Sequence, residues 1–282
     1  MLNQEYRIVL CSDLHCTHVS PMYDIDYRDR MRLWVETVKR EHASHPIDLL
    51  LILGDVSLDY WSVRDLGTFL AEGHSSSFEF VRDYLSEVPK EIPTLMIPGN
   101  HEPYSAENWK KLTGFDRTGH FALGKNLFIL LDNYAGSLDP KTQEDGVYSV
   151  SNVEEIKRLM AQYPEHDVYL CAHYFDIDNE SDSFRTLLRE NDRIKCLFAG
   201  HTHVSSVIKL GAEWGNKAIC QTGHYSNSAD RTNSLADFWG FRELLIRNDG
   251  ISTKYVIAEN HVNLDGRYFD IERREINALV LK

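Results

Sequence analysis

The sequence predicts an α/β fold from three features of its pattern. Short, continuous apolar runs of the kind that form buried strands recur along the chain. Amphipathic helical patterns lie between these runs. From about residue 204 the pattern changes to short strands joined by turns, of which Asn248-Asp249-Gly250 is the clearest. Strands that alternate with helices and then continue as strands indicate a mixed α/β architecture.

Five of the apolar runs are predicted to be strands that are buried on both faces. They are Ile8–Cys11, Leu49–Leu53, Leu95–Ile97, Val168–Ala172 and Ile194–Ala199. A strand with one solvated face alternates polar and apolar residues, whereas a short continuous apolar run fits a strand that is covered on both faces. Four further strands are predicted in a mainly antiparallel region, at 204–210, 217–222, 240–247 and 252–258.

Four segments show the periodicity of helices. The apolar residues of Met31–Val38 fall at i, i+3, i+4 and i+7, which is one face of a helix. The stretch Ser151-Asn152-Val153-Glu154 has the pattern of a capping box that opens another helix. The remaining helices are predicted at Phe78–Leu85 and Phe184–Leu188.

Length and composition are those of a globular protein. The chain has 282 residues, of which 43% are hydrophobic, and it shows no repeat, low-complexity tract or Pro/Gly-rich linker. Residues 1–282 are therefore predicted to form a single domain. The formal net charge of −13 disfavours a long nucleic acid as partner, because such binders usually present a basic patch. A small anionic substrate remains compatible with this charge if a local site, such as a metal site, makes the electrostatic potential positive where the substrate binds.

Targeting signals and cysteine usage bear on the cellular compartment. The first residues lack the basic and apolar regions of a secretory signal, and no apolar run is long enough for a membrane span. The five cysteines include no Cys-x-x-Cys pair and mostly lie in apolar runs, where they are typical of small buried side chains. We therefore expect a cytoplasmic protein with no membrane partner.

Side chains that can ligate metal ions follow each of the five buried runs. They are Asp13 and His15 after the first run, Asp55 after the second, Asn100 and His101 after the third, His173 after the fourth, and His201 and His203 after the fifth. Ligands bind beyond the carboxyl ends of strands in open α/β sheets, so these residues can converge on one pocket. Asp13 and His15 are two residues apart and would point the same way on an extended segment. His201 and His203 can instead serve neighbouring ions.

Each motif is weak when it is taken alone. Gly54-Asp55 also fits a turn with an Asx hydrogen bond, and His173 alone fits a hydrogen-bonded core histidine. Gly-His-x-His is stronger, because two histidines at this spacing seldom follow a buried strand without binding something. All five motifs in this order predict a metal site. Carboxylate, imidazole and amide ligands without a thiolate suit Mn, Fe or Zn and disfavour a closed structural zinc site.

The ordered set Asp-x-His, Gly-Asp, Gly-Asn-His-Glu, His and Gly-His-x-His resembles the calcineurin-like metallophosphoesterases. The resemblance runs from Asp13 to His203 through the motifs and continues into the β-rich tail. It implies a four-layer α/β/β/α sandwich of two mixed β-sheets flanked by helices. It also implies a centre of two divalent or transition-metal ions in each chain.

The resemblance further implies a role for each site residue. The terminal ligands would be divided between the ions, the first held by Asp13, His15 and His203 and the second by Asn100, His173 and His201. Asp55 would bridge both ions, and His101 matches the catalytic histidine of the family. A metal-bridging hydroxide would attack phosphorus in line while His101 protonates the leaving group. Two carboxylates against two divalent ions leave a local charge of about +2, which attracts a phosphate ester.

Departures from the family pattern reduce the number of family branches that the sequence fits. The residues after Asp55 lack the Asp-Arg-Gly continuation of the Ser/Thr protein phosphatases. The purple acid phosphatases carry a metal-binding tyrosine at the position of Leu58, and they lack the histidine that His15 supplies. Tyr174 stands where relatives often have a second histidine, and we interpret it as a pocket wall. The remaining pattern resembles the phosphodiesterase and small-phosphoesterase branch.

The expected function is hydrolysis of small soluble phosphate esters, with diesters favoured over monoesters. Two alternatives stay open: a phosphomonoesterase acting on nucleotides, sugar phosphates or phosphoproteins, and a catalytically silent metal-binding scaffold. Glu102 fits equally a residue that orients His101 or a neighbour and a solvated acid on a loop. Further candidates for the pocket rim are His18, His74 and His224, and the loops expected to set specificity are 57–77 and 132–146.

Overall fold

A computed structural model describes residues 5–17, 27–59, 75–135, 146–225, 240–264 and 267–281 of the chain. The strands are β1 (Glu5–Cys11), β2 (Leu49–Leu53), β3 (Thr94–Ile97), β4 (Gly119–Leu123), β5 (Asn126–Leu130), β6 (Tyr134–Ala135), β7 (Val147–Tyr148), β8 (Asp167–Ala172), β9 (Ile194–Ala199), β10 (Val207–Lys209), β11 (Ala218–Gln221), β12 (Gly240–Arg247), β13 (Gly250–Ile257), β14 (Asn260–Leu264), β15 (Arg267–Ile271) and β16 (Arg274–Leu281). The α-helices are α1 (Tyr27–Ser44), α2 (Ser76–Glu79), α3 (Ala106–Thr113), α4 (Val153–Gln162) and α5 (Asp182–Glu190).

Two mixed sheets of six strands each form the centre of the fold. The first has the strand order β16-β13-β12-β1-β2-β3, and the second has the order β10-β11-β9-β8-β5-β4. In the first sheet β1, β2 and β3 are parallel, and β12 lies antiparallel to β1. In the second sheet β5, β8, β9 and β11 are parallel. Parallel strands are covered on both faces, which explains why their sequences are continuously apolar.

Three apolar clusters separate four layers. Between the sheets pack inward-facing side chains of both, among them Leu51 of β2 and Phe198 of β9. The other face of the first sheet is covered by α1 through side chains such as Trp34. The other face of the second sheet is covered by α4 and α5, with Ile156 and Phe184 at the contact. The predicted four-layer α/β/β/α sandwich of two mixed β-sheets is therefore confirmed.

The helices differ in detail from the sequence predictions. The segment predicted as one helix at 78–85 is α2 followed by a π-helical turn, Phe80–Tyr84, and a 3-10 turn, Leu85–Glu87. The N-cap of α4 is Asn152, whose side chain accepts a hydrogen bond from the Glu155 amide at 3.1 Å. Ser151 instead donates its hydroxyl hydrogen to Glu180 at 2.6 Å, so the predicted capping box is wrong by one residue. Among the described residues, no helix combines the length and apolarity that crossing a membrane requires.

Candidate metal centre

The loops that follow β1, β2 and β3 are tied together by their backbones. The Asp13 amide donates to the Gly54 carbonyl at 3.0 Å, and the His15 amide donates to the Asp55 carbonyl at 3.1 Å. Gly99, in the loop after β3, lies so close to Asp55 that a Cβ built on this glycine would meet Asp55 Oδ1 at 2.1 Å. A glycine is therefore required at this position, since any side chain would displace the Asp55 carboxylate.

The loops after β8 and β9 complete the pocket from the second sheet. The Gly200 amide donates to the His173 carbonyl at 2.8 Å, which holds these two loops side by side. The His201 amide donates to Asp13 Oδ2 at 3.0 Å and thereby links the two sheets at the site. The five strand ends thus converge as their positions beyond buried parallel strands predict.

Left-handed backbone conformations recur at the site. Residues with positive φ are Asp13 (54°), His15 (48°), Asp55 (49°), His201 (69°) and His203 (58°). Apart from glycine, only Asn216 and Asn277 share this conformation in the described ranges. Such geometry is strained for histidine and aspartate and is concentrated at functional sites. Asp13 and His15 converge through these turns, so the extended segment expected from their spacing is wrong.

The first cluster of possible ligands consists of Asp13, His15 and His203. One ligand atom from each lies within 4.8 Å of the others. His203 Nε2 is 3.2 Å from Asp13 Oδ1, and His15 Nε2 is 4.0 Å from the same oxygen. Asp13 is fully buried, and its Oδ1 atom accepts no hydrogen bond from a described residue. A buried carboxylate oxygen without a donor is the group that a cation would satisfy.

The second cluster consists of Asp55, His173 and His201, again with ligand atoms within 4.8 Å of one another. Asn100 joins it, because Asn100 Oδ1 lies 3.0 Å from His173 Nε2 and 2.9 Å from His201 Nδ1. His173 Nδ1 is 2.7 Å from the Leu53 carbonyl oxygen. This contact places the ring proton on Nδ1 in the neutral tautomer and leaves Nε2 available as a ligand.

Asp55 lies between the two clusters. Its Oδ2 atom is 3.2 Å from His173 Nε2 and 3.8 Å from His15 Nε2, so one carboxylate faces ligands of both groups. The His101 amide donates to Asp55 Oδ1 at 3.1 Å, and His101 Nε2 is 3.7 Å from Asp55 Oδ2. The His101 side chain is 15% exposed and that of His203 19%, so both lie at the open side of a pocket whose aspartates are buried. Every site residue predicted from the sequence therefore lies at this one place.

Burial and mutual attraction shift the protonation of these groups. Burial raises the pKa values of Asp13 and Asp55. The neighbouring histidines lower them by more than burial raises them, so both pKa values lie below the usual range of a carboxyl group. Burial lowers the pKa of His15 and of His201 to about 4. These two imidazoles are therefore neutral near pH 7, which is the form that binds a metal ion. Burial also opposes a charge on His173, but Asp55 raises its pKa to about 9.

Glu102 is a buried part of the site rather than a solvated loop acid. Its Oε2 atom accepts hydrogen bonds from the Asp55 amide at 3.0 Å and the Gly99 amide at 2.8 Å. Its Oε1 atom accepts from the Ser57 amide at 2.8 Å. Burial, followed by repulsion from Asp55, raises the pKa of Glu102 to about 8. The carboxyl group thus fixes the turn that carries Asp55.

Two further residues that support the site were not singled out from the sequence. Arg30 of α1 is fully buried, and its guanidinium donates to the Leu14 and His15 carbonyl oxygens at 3.0 and 2.9 Å. Its only sequence signal is an arginine beside the apolar face of α1. Ser12 donates its hydroxyl hydrogen to Asp13 Oδ2 and also lies 2.6 Å from the Thr222 hydroxyl.

The remaining candidates for the pocket rim fall in different places. His224 is 1% exposed, and its ring stacks on His203 with a centroid distance of 5.3 Å, so it lies behind the ligands. The Tyr174 ring lies 4.6 Å from the His201 ring, as expected for a pocket wall. His18 and His74 lie outside the described residues, as do parts of the loops 57–77 and 132–146.

Comparison with protein families and sequences identifies related proteins. The family model for calcineurin-like phosphoesterases matches residues 6–205. The lariat debranching enzyme of Saccharomyces cerevisiae is 39% identical over 69 residues, which make up 23% of this chain. The match spans only 16% of the length of that enzyme.

Comparison with solved structures finds the same fold in several proteins. A dimetal phosphatase from Danio rerio superposes with a TM-score of 0.62 at 13% identity, covering 96% of this chain and 98% of that one. A purple acid phosphatase from yellow lupin seeds has a TM-score of 0.54 at 13% identity, covering 95% and 53%. GAP50, described as the anchor in the inner membrane complex of Plasmodium, has a TM-score of 0.52 at 13% identity, covering 97% and 89%. At such identities the likeness is one of fold.

Proposed function

Because the chain belongs to the calcineurin-like phosphoesterase family, we propose that this metal-dependent phosphoesterase hydrolyses small phosphodiesters. The family and the clustered histidines and aspartates indicate a dinuclear metal centre. The observation that carries the proposal is the position of Asp55, whose carboxylate contacts histidines of both clusters at 3.2 and 3.8 Å. A carboxylate placed in this way suits a bridge between two ions.

The donor set fits a pair of divalent ions. Each cluster combines a carboxylate with imidazoles, and the second adds the Asn100 amide oxygen. The buried Asp13 Oδ1 atom accepts no hydrogen bond from the described residues, which is costly unless a cation is bound. We assign the first ion to Asp13, His15 and His203, the second to Asn100, His173 and His201, and the bridge to Asp55. Mn, Fe and Zn suit these ligands.

The residues of the chain would orient the ester and manage its protons. Bound ions would supply positive charge for the phosphoryl oxygens and lower the pKa of a nearby water molecule. Asp55 and Glu102 would hold this centre in place, the first as a ligand and the second through the backbone of its turn. His101 lies at the rim, anchored to Asp55 through its amide, where it would donate a proton to an alkoxide leaving group.

The charges around the site favour a diester over a monoester. Among the described residues, the ion pairs of Asp13 and Asp55 are all with histidines, and none is with lysine or arginine. The buried Arg30 donates to carbonyl oxygens of the loop after β1. A monoester carries a second negative charge, which no lysine or arginine paired with these aspartates would balance. A diester monoanion needs only the charge of the ions.

Parallel assays of two esters test the proposal. Purified protein is stripped with a chelator and reloaded with Mn, and hydrolysis of bis(p-nitrophenyl) phosphate is compared with that of p-nitrophenyl phosphate. We expect a higher kcat/KM for the diester, and no turnover without metal. Faster hydrolysis of the monoester would indicate a phosphomonoesterase. No turnover of either ester by protein that holds two ions would indicate a scaffold.

A further inference from the structure

Three tyrosines form an aromatic wall beside the second cluster. The Tyr174 ring is 4.6 Å from the His201 ring, and the Tyr134 ring is 5.6 Å from the His173 ring, between centroids. Tyr148 packs edge-on against both of the other tyrosines, at 5.9 Å from each. Any ester bound at the second cluster would therefore have this wall beside it.

Two of the tyrosines, Tyr148 and Tyr134, are held in place by contacts within the protein. The Tyr148 hydroxyl donates to Glu180 Oε1 at 2.7 Å and accepts a hydrogen bond from the Asp176 amide at 3.1 Å. Tyr134 is only 5% exposed and packs between Tyr148 and the histidines. These contacts make both rings fixed supports.

Tyr174 differs from the other two because part of it is open. Its carbonyl oxygen accepts a hydrogen bond from Asn133 Nδ2 at 2.8 Å, so its backbone is held in place. The side chain is half-buried, and its ring contacts the rings of Tyr148 and His201. Within the described part of the chain its hydroxyl group forms no hydrogen bond. A rigid, partly exposed ring with a free polar group is suited to contact a ligand.

The charge near Tyr174 limits what this ligand can be. Asp176 and Asp178 follow Tyr174 closely in the chain, and the Asp176 amide donates a hydrogen bond to the Tyr148 hydroxyl of the same aromatic wall at 3.1 Å. Carboxylates beside the wall repel a phosphate group, so an additional phosphate is disfavoured on this side of the pocket. An uncharged planar ring meets no such penalty, and aromatic side chains commonly stack on such rings.

We propose that Tyr174 stacks on an uncharged planar ring of the substrate, and that the preferred substrates are phosphodiesters carrying such a ring, as nucleoside esters do. This inference rests on the proposed phosphodiesterase activity and names its substrate class. Tyr174 then determines specificity by touching the substrate beside the second ion, while Tyr134 and Tyr148 hold the wall in place. The hydroxyl group of Tyr174 is secondary, because the stacking face belongs to the ring.

The test compares two esters with the same leaving group. One is the p-nitrophenyl ester of thymidine 5′-monophosphate, and the other is tetrahydrofurfuryl p-nitrophenyl phosphate, which lacks the base. We expect kcat/KM of the Mn-loaded protein to be at least about tenfold higher for the thymidine ester, the size of effect typical of a stacked base. A ratio near one would overturn the inference.

Three variants then locate the effect. Tyr174→Leu should lose most of the ratio between the two esters, whereas Tyr174→Phe should keep it because the ring remains. Tyr163→Leu is the matched control, since Tyr163 also packs against a histidine, His166 at 5.1 Å, but belongs to the end of α4. Circular dichroism and metal analysis of each variant show that fold and ions are retained. An unchanged ratio in Tyr174→Leu, or an equal loss in Tyr163→Leu, would overturn the inference.

The proposed function and this inference fail in different ways. If the metal-loaded protein hydrolyses neither ester, the proposed function is wrong and the inference fails with it. If it hydrolyses both esters equally well, the phosphodiesterase activity stands and the role of Tyr174 is wrong.

Discussion

At the scale of single residues, most of the site depends on where one carboxylate lies. Asp55 contacts His173 at 3.2 Å and His15 at 3.8 Å, while its own amide is held by Glu102 at 3.0 Å. The Asp13 carboxylate, in contrast, lies near the imidazole rings of the first cluster only, those of His203 and His15, and meets the second cluster through the backbone amide of His201. The two aspartates should therefore differ in how many ions they control.

Substitution of each aspartate tests this difference. A bridging carboxylate belongs to both coordination spheres, so Asp55→Ala should reduce the binding of both ions, and Asp13→Ala should mainly reduce the binding of one. Elemental analysis of the purified variants after dialysis measures the bound metal per chain. Full retention of both ions by Asp55→Ala would place the bridge elsewhere.

His101 allows metal binding to be separated from proton transfer. If it donates the proton, His101→Ala should keep its ions and lose about 10²–10⁴-fold in turnover of esters with alkoxide leaving groups. The loss should be smaller for p-nitrophenyl esters, whose leaving group barely needs a proton. His120→Ala is a suitable control, because His120 is exposed and its ring packs on Tyr163.

The comparison of the two leaving groups decides the role of His101. An equal loss on both kinds of ester would contradict proton donation. Loss of an ion from His101→Ala would make the residue a metal ligand, as its grouping with His15 and Asp55 also permits.

At the residue scale, the candidate ligands could be predicted and a supporting role for Glu102 was one of two open alternatives, but the contacts that support the ligands could not be predicted. Asp13 or His201 follows a recognisable apolar run, and the strand end sets its position. Arg30 and Glu102 instead hold the backbone of loops that are far from them in sequence: Arg30 binds the loop after β1, and Glu102 binds the loop after β2. No local pattern marks such contacts, because they depend on how the loops pack. The burial of His224 behind His203 depends on packing in the same way.

At the scale of elements, tight turns after buried strands create the site. Asp13 and Asp55 follow β1 and β2 in left-handed conformations, with φ near 54° and 49°. Such turns cost free energy and persist only where the surroundings hold them. Glu102 holds the turn after β2 from the turn after β3, through the amides of Asp55, Gly99 and Ser57.

Glu102→Gln should therefore destabilise the protein without removing a ligand. An amide group in place of the carboxyl would set its own N–H donors against buried backbone donors, and an unsatisfied buried group costs about 1–3 kcal/mol. Urea unfolding followed by circular dichroism measures the free energy of unfolding. Glu107→Gln, at an exposed position of α3, is the matched control and should change little. Equal stability of the two variants would show that Glu102 does not hold the turn.

The elements themselves were predictable where their pattern was local. The runs that form β1, β2, β3, β8 and β9 are almost continuously apolar, and the two sheets bury most of their residues. β5 was not predicted although Asn126–Leu130 is fully buried and pairs with β8 in parallel. Its role in the sheet comes from long-range pairing, which a short run does not specify. The helix at 78–85 was predicted, but its π-helical turn was not.

At the scale of the whole molecule, the strands that pack the two sheets together also carry the site. The inter-sheet cluster contains residues of β1 and β2 together with residues of β8 and β9, so the site is built on strands from both sheets. We propose that residues 1–282 form a single domain on this basis. Because the net charge of the chain is −13, the attraction for a phosphate group has to come from the ions of the metal centre.

A single domain with bound ions should unfold as one unit. Thermal unfolding should give one cooperative transition, and its midpoint should rise when Mn is added to stripped protein, because an ion that binds only the folded state stabilises that state. Differential scanning calorimetry with and without metal measures both effects. Two separate transitions would contradict the single domain, and a midpoint that does not respond to metal would contradict ion binding.

The most direct measurement is the activity of the protein as a function of metal bound per chain. Protein stripped of metal is titrated with Mn while bis(p-nitrophenyl) phosphate hydrolysis and bound metal are followed together. We expect no turnover without metal and full activity at about two ions per chain, as a two-metal site requires. Full activity of metal-free protein, or saturation at one ion, would contradict the dinuclear centre.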